Sequence, residues 1–298
     1  MNNVIIFGAN GYLGRHLALH LKDNHIDFLP IGSSANSADN YENYFQIDIT
    51  NKKEVEQLNF DVETIYIFAG LTGTTVGFDQ YQEFILANEI GLLNILNHHK
   101  NCKSKARIVF PSTRLVYKGQ KDVFLSEDAE KEALTIYAQT KLACESYLKM
   151  YQHNFGITYT VFRICVPYGN LINESYSYGT LGFFLNNARE KKNITLYGDG
   201  MQKRTFTHVE DIIACITQTI ELETTKNKII NIGSNDNLSL LEVANLVAKK
   251  YGVGVDFVPF PEEALKVESG DTIFDDTLQK KLINYTYKNR LSDWILNI

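Results

Sequence analysis

Cysteine is scarce in this chain of 298 residues, and none of Cys102, Cys144, Cys165 and Cys215 stands in a C-x-x-C pair or beside a histidine pattern. That argues against a disulfide frame or a structural zinc site and predicts reduced, packed thiols. No metal is expected. No apolar run approaches the ~18 residues of a membrane span. The N-terminus enters a strand-like segment without a basic, long apolar or cleavable region, so a cytoplasmic setting and no membrane partner are expected. Nor are cations in excess: 29 Lys and Arg against 35 Asp and Glu give a net charge of −6, with no footprint for nucleic acid. An anionic small molecule therefore has to be held by a few locally placed cations. What is present is an ordinary globular composition, 44% hydrophobic and 21% charged, in a length that suits one large α/β domain or two unequal ones.

Val4-Ile5-Ile6-Phe7 is a short apolar run that ends at a glycine, as a strand buried on both faces does. Leu13, Leu17, Ala18 and Leu21 follow at helical spacing. The alternation continues through strand-like Phe28–Ile31, Phe45–Ile47, Thr64–Phe68, Arg107–Phe110 and Thr158–Phe162, and through helix-like Ile90–Leu96 and Ile136–Tyr151. This rhythm predicts a doubly wound parallel sheet with helices on both faces. Beyond Tyr168 the pattern loosens. Residues 170–178 are polar and turn-rich, Leu181–Lys191, Val209–Leu222 and Leu240–Tyr251 read as helices, and Ile229–Ile232 reads as a strand. The expected organisation is a dinucleotide-binding Rossmann domain over 1–168, with 205–235 returning to it. A smaller α/β substrate-binding region is expected from 169–204 and 236–298.

Gly8, Gly11 and Gly14 form G-x-x-G-x-x-G between the first strand and the first helix. Such glycines permit a tight turn, close approach to a pyrophosphate and close helix packing, while the helix N-terminus offers N–H groups to the anion. Candidate cofactor contacts are these glycines with Tyr12, Leu13 and Arg15, then Ser33, Asp48 and Ile49, and Ala69 with Gly70. The acid that usually follows the second strand in NAD-binding folds is missing, since Gly32-Ser33-Ser34 stands there. Serines with Arg15 nearby suit a 2′-phosphate, so NADP(H) is the expected cofactor and NAD(H) the alternative. Arg15 is equally readable as a solvated helix arginine. Asp48 is either an acceptor for the adenine amino group or a turn acid.

Tyr137 and Lys141 lie four apart on a helix and share a face. A phenol with its usual pKa near 10 is a poor base at neutral pH, but an adjacent ammonium favours the phenolate. The pair follows Pro111-Ser112-Thr113, a polar cluster at the carboxyl end of a strand, where α/β sheets bind ligands.

Together with Val116-Tyr117 and the later Gly198–Phe206 segment, these motifs resemble the extended short-chain dehydrogenase/reductases acting on nucleotide sugars, over essentially the whole chain. The resemblance implies catalysis by Thr113, Tyr137 and Lys141. Lys141 also reaches the cofactor's ribose, and Thr72, Asn88, Ser112, Tyr137 and Arg204 contact a nucleotide-sugar substrate. Asp211 is expected to cap the helix after it. Arg163 is either a substrate-side arginine or a buried ion-pair partner.

Departures narrow the reaction. The Asp-Glu pair of 4,6-dehydratases is replaced by Arg114-Leu115, and the cysteine of dual epimerase-reductases is absent where Leu115 stands. The expected activity is NADPH-dependent reduction of a nucleotide-linked 4-keto-6-deoxyhexose, for deoxysugar synthesis. The alternatives are a sugar-nucleotide 4-epimerase with tightly bound NAD, or a non-catalytic dinucleotide sensor, which usually lacks the Tyr/Lys pair. Apolar residues on more than one face of the helices at Ile90–Asn97 and Tyr137–Tyr151 also imply, by the family's habit, a homodimer.

Overall fold

In a computed structural model, which describes residues 3–172 and 179–298, seven strands form one parallel sheet. They are β1 (Val4–Phe7), β2 (Phe28–Gly32), β3 (Phe45–Gln46), β4 (Thr64–Ile67), β5 (Arg107–Thr113), β6 (Tyr159–Ile164) and β7 (Lys228–Ile232), in the order 3-2-1-4-5-6-7. The chain winds outward from β1 to one edge, crosses back, and builds the other half from β4. The order reverses between β1 and β4, and their carboxyl ends open the crevice where doubly wound sheets take ligands. Residues 173–178, part of the polar stretch expected to shape the substrate site, lie outside the described residues.

Alternation along the strands divides the core. Ile5, Phe7, Ile65, Ile67, Ile108 and Phe110 face one side, against Leu92, Ile95 and Leu96 of α2 (Gly91–Asn101) and Cys144 and Leu148 of α3 (Ile136–Phe155). Val4, Ile6, Tyr66, Val109 and Phe162 face the other, against Leu17, Ala18 and Leu21 of α1 (Tyr12–Asp23) and the helix Val209–Gln218. Full burial of each large aliphatic side chain contributes roughly 1.5–3 kcal/mol, so these stripes fix how the helices dock. Local signals agree at the helix that carries Tyr137. The Thr135 side chain accepts from the Ala138 amide at its start, and Gly156, at φ +71°, closes its end in the left-handed conformation.

Beyond β6 the chain builds smaller sheets. Lys203–His208 lies between Val166–Tyr168 and Asp236–Ser239, and Ile194–Tyr197 pairs with Val255–Val258. A separate core holds Leu181, Phe184, Leu196, Phe206, Val243 and Val247.

The helix expected from Ile90 continues backwards through a π-helical turn, Ile85–Ile90, and a short helix, Tyr81–Phe84. Leu92, Ile95 and Leu96, read from the sequence as surplus apolar residues, are spent in the chain's own core. Among the apolar side chains left exposed are Tyr81, Ile85, Leu86 and Ile90, up to three turns earlier, and Met150 and Phe155 on α3.

Candidate active site

The first βα turn is closed by its own backbone. The Gly8 amide donates to the Ile31 carbonyl (2.8 Å) and the Gly11 amide to the Gly8 carbonyl (3.0 Å). Gly8 sits at φ +84°, and a Cβ there would stand 2.4 Å from the Ala69 nitrogen; one on Gly14 would stand 2.1 Å from the Gly8 carbonyl oxygen. Only glycine allows the β1 turn, the β4 turn and α1 to approach this closely. Gly11 caps α1 without a side-chain bond, and the first turn carries no acid, which suits an anion at the helix start.

A groove opens in front of this turn. Gly8, Gly11, Ser33, Asp48, Ile49, Ala69 and Gly70 all line it, so the structure gathers seven of the cofactor residues expected from the sequence. Leu13 and Gly14 stand behind it in α1. The Tyr12 hydroxyl donates to the Gly169 carbonyl (2.6 Å), tying the helix to the turn after Val166–Tyr168. Asp48 keeps its Oδ1 on the Thr50 amide and hydroxyl (2.9 and 2.8 Å), a turn acid at the rim of the groove.

Arg15 is placed differently from the expectation. Its Nε donates to Asp39 Oδ2 (3.0 Å) and its Nη2 to Oδ1 (2.7 Å), a fork on a carboxylate 24 residues away. None of the described residues that line the groove is a cation. Arg15 is already paired with a carboxylate, and of the groups expected to receive a 2′-phosphate the serines Ser33 and Ser34 are what line the groove. The cradle fits a dinucleotide, and its charge pattern works against the NADP preference read from Gly32-Ser33-Ser34.

At the candidate reaction centre, β5 carries Thr113 and α3 carries Tyr137 and Lys141. Lys141 is buried, donates to the Pro111 carbonyl (2.8 Å), and stands 4.3 Å from the centre of the Phe110 ring and 5.9 Å from that of Tyr137. Burial pushes its ammonium down to about 8, with Cys144 and Glu145 opposing the shift. The unfolded value is near 10.4, so between about 8 and 10.4 the native state binds fewer protons and stability rises with pH. Lys141→Met should flatten that part of the curve of unfolding free energy against pH, while the protein remains folded at pH 7. An unchanged slope between pH 8 and 10 would show that Lys141 ionises as it does in water.

Two neighbours correct the sequence reading. Successive side chains of a strand point to opposite faces. Thr113 accepts from the Leu115 amide (3.3 Å), whereas the Ser112 hydroxyl turns inward and donates to Glu145 Oε1 (2.6 Å). Ser112 is therefore committed to the framework and not to a substrate. Asn88, in the π-helical turn, is also fully engaged: its Oδ1 accepts from the Leu71 amide (2.7 Å), and its Nδ2 donates to the Leu71 carbonyl (3.1 Å) and Thr140 Oγ1 (3.0 Å). It clamps the β4 loop to α3 beside Tyr137, and a Cβ on Gly70 would stand 2.6 Å from its Oδ1. Thr72 lies exposed in that loop.

Glu145 heads the support the sequence did not announce. Arg163 grips it through two bonds (2.9 and 2.6 Å) and reaches the Tyr117 hydroxyl and the Glu127 carbonyl (2.8 Å each). Ser112, Glu145 and Arg163 thus lock α3 to β5 and β6 one turn from Lys141, which settles Arg163 as a buried ion-pair partner. Asp211 does not cap its helix, since the His208 side chain does that; Asp211 instead receives Tyr285 Oη and the amides of Lys288 and Asn289.

Arg204 is buried on the middle strand of the three-stranded sheet. It donates to the Lys203 and Gly270 carbonyls and pairs with Glu268. Arg114 lies close by, donating through Nη1 to Ser269 Oγ (3.0 Å) and Thr272 Oγ1 (3.3 Å).

A parallel sheet with its switch point at a glycine turn, and a candidate Thr/Tyr/Lys centre at the carboxyl edge of the next strands, suit a dinucleotide-dependent oxidoreductase. Residues 4–233 match the model of the NAD dependent epimerase/dehydratase family, and the chain belongs to that family. A Bacillus subtilis protein named as an uncharacterized UDP-glucose epimerase is 26% identical, covering 99% of this chain and 96% of its own length. The UDP-glucuronate 4-epimerase of Thermodesulfobacterium geofontis is 27% identical over 81% of this chain and 73% of its own. In fold, the UDP-glucose 4-epimerase of Thermus thermophilus, solved with NAD, matches with a TM-score of 0.86 at 19% identity, covering 98% of this chain and 96% of that one. These relatives are named as epimerases; none singles out the 4-keto-6-deoxyhexose reductase branch.

Proposed function

We propose that this protein is a sugar-nucleotide 4-epimerase that works by transient oxidation with NAD as its resident cofactor. The observation that carries the reading is the Arg15–Asp39 fork, which leaves the groove without a cation for a 2′-phosphate. Relatives named as epimerases support it. When bound, NAD supplies the acceptor and donor of hydride. Tyr137 takes the proton from the sugar hydroxyl as its carbon is oxidised and returns one after the keto sugar has presented its other face. Thr113 holds the reacting oxygen, and Lys141, charged below about pH 8, favours the phenolate. The absence of a carboxylate pair at Arg114-Leu115 suits this chemistry, because epimerisation at one carbon removes no water.

Titration with each cofactor tests the assignment. The wild-type protein should bind NADH at least roughly tenfold more tightly than NADPH, and Asp39→Ala should improve NADPH binding by freeing Arg15, with roughly 1.4 kcal/mol for each factor of ten. Tighter binding of NADPH by the wild type would instead favour the reductase.

We also propose a homodimer through the exposed apolar face of Tyr81, Ile85, Leu86 and Ile90 with Met150, since a patch of this kind on a family enzyme suits an isologous contact. Light scattering should give a dimer mass at micromolar concentration and a monomer mass for Leu86→Glu. A wild-type monomer would remove the interface.

A further inference from the structure

Arg114 immediately follows Thr113, the end of β5, and is half-buried. Its hydrogen bonds go to two neutral hydroxyls, Ser269 Oγ and Thr272 Oγ1, and both run from Nη1. Among the described residues no carboxylate pairs with it. Its electrostatic neighbours include Arg204, Glu268, Cys165 and Tyr137, and Glu268 pairs with Arg204. Burial, together with the charge of Arg204, pushes the guanidinium down to about 10. A partly buried cation beside another cation and without a carboxylate of its own is costly, and it marks a place for a negative ligand. Nε and Nη2 keep their donors for one, in the planar fork that suits a carboxylate.

We propose that Arg114 receives a carboxylate carried by the sugar ring of the substrate, so that the substrate class is a nucleotide-linked uronate. The inference rests on the nucleotide-sugar reading above. The ring is favoured over the diphosphate because Arg114 directly follows Thr113, the group assigned to hold the reacting oxygen. Glu268 is engaged with the other guanidinium, that of Arg204.

Calorimetry on the NAD-loaded protein with UDP, UDP-glucose and UDP-glucuronate tests this. UDP-glucuronate should bind roughly 10–100-fold more tightly than UDP-glucose, the range for one hydrogen-bonded charge. Arg114→Leu should abolish that preference while leaving UDP unchanged, and Arg114→Lys should retain part of it, which separates lost recognition from lost folding. Equal binding of the two sugars by the wild type would overturn the proposal. So would an Arg114→Leu variant that weakens UDP as much as UDP-glucuronate, which would place the arginine on the diphosphate. If UDP itself does not bind, the nucleotide-sugar reading fails, and this inference fails with it.

Discussion

Tyr137→Phe should lower turnover by roughly 10²–10⁴-fold, the usual contribution of a general acid–base group. NAD binding and thermal stability should stay near those of the wild type. The substitution removes one oxygen from a half-buried ring at the second position of α3, so packing barely changes. The helix is held by groups that remain: the Thr135 cap, the Asn88–Thr140 bond and the Ser112–Glu145–Arg163 lock. Steady-state kinetics beside a cofactor titration makes the check. Turnover within about tenfold of wild type by a folded, NAD-binding variant would take the proton transfer away from Tyr137.

The largest effect on stability is expected at Arg163. Arg163 and Glu145 are each 3% exposed. Arg163→Met leaves the Glu145 carboxylate buried with the Ser112 hydroxyl as its remaining side-chain donor, and strips the Tyr117 hydroxyl and the Glu127 carbonyl of a partner. Removing one partner of a buried pair costs roughly 3–5 kcal/mol, whereas replacing both by apolar groups of similar volume is often neutral. Chemical denaturation should therefore show a deep loss for Arg163→Met and substantial recovery in Arg163→Met/Glu145→Leu. A single variant within about 1 kcal/mol of wild type would mean that solvent reaches this pair.

The parts of the site that were legible in the sequence are those whose physics is local. A glycine turn between an apolar strand and a helix, a Tyr/Lys pair one helical turn apart, and a Ser-Thr at a strand end all speak within a few residues. What stayed hidden depends on distant segments. The carboxylate that neutralises Arg15 lies 24 residues on, and Arg114 gains its partners 155 and 158 residues away. Adjacent residues on a strand point to opposite faces, so a Thr113 that faces the site turns Ser112 towards α3. The framework role of Asn88 is not legible in the sequence, because a π-helical turn that spends the Asn88 amide on Leu71 and Thr140 leaves no mark in the apolar periodicity.

The central claim is that hydride leaves the sugar and returns to it with no external reductant. Nuclear magnetic resonance on the purified protein, given NAD stoichiometric with enzyme and an excess of UDP-glucuronate, observes this directly. The account predicts that the 4-epimer accumulates to an equilibrium mixture over many turnovers, with absorbance at 340 nm never exceeding one NADH per active site. Absence of the epimer, together with steady consumption of NADPH when a 4-keto-6-deoxy sugar nucleotide is supplied, would contradict it.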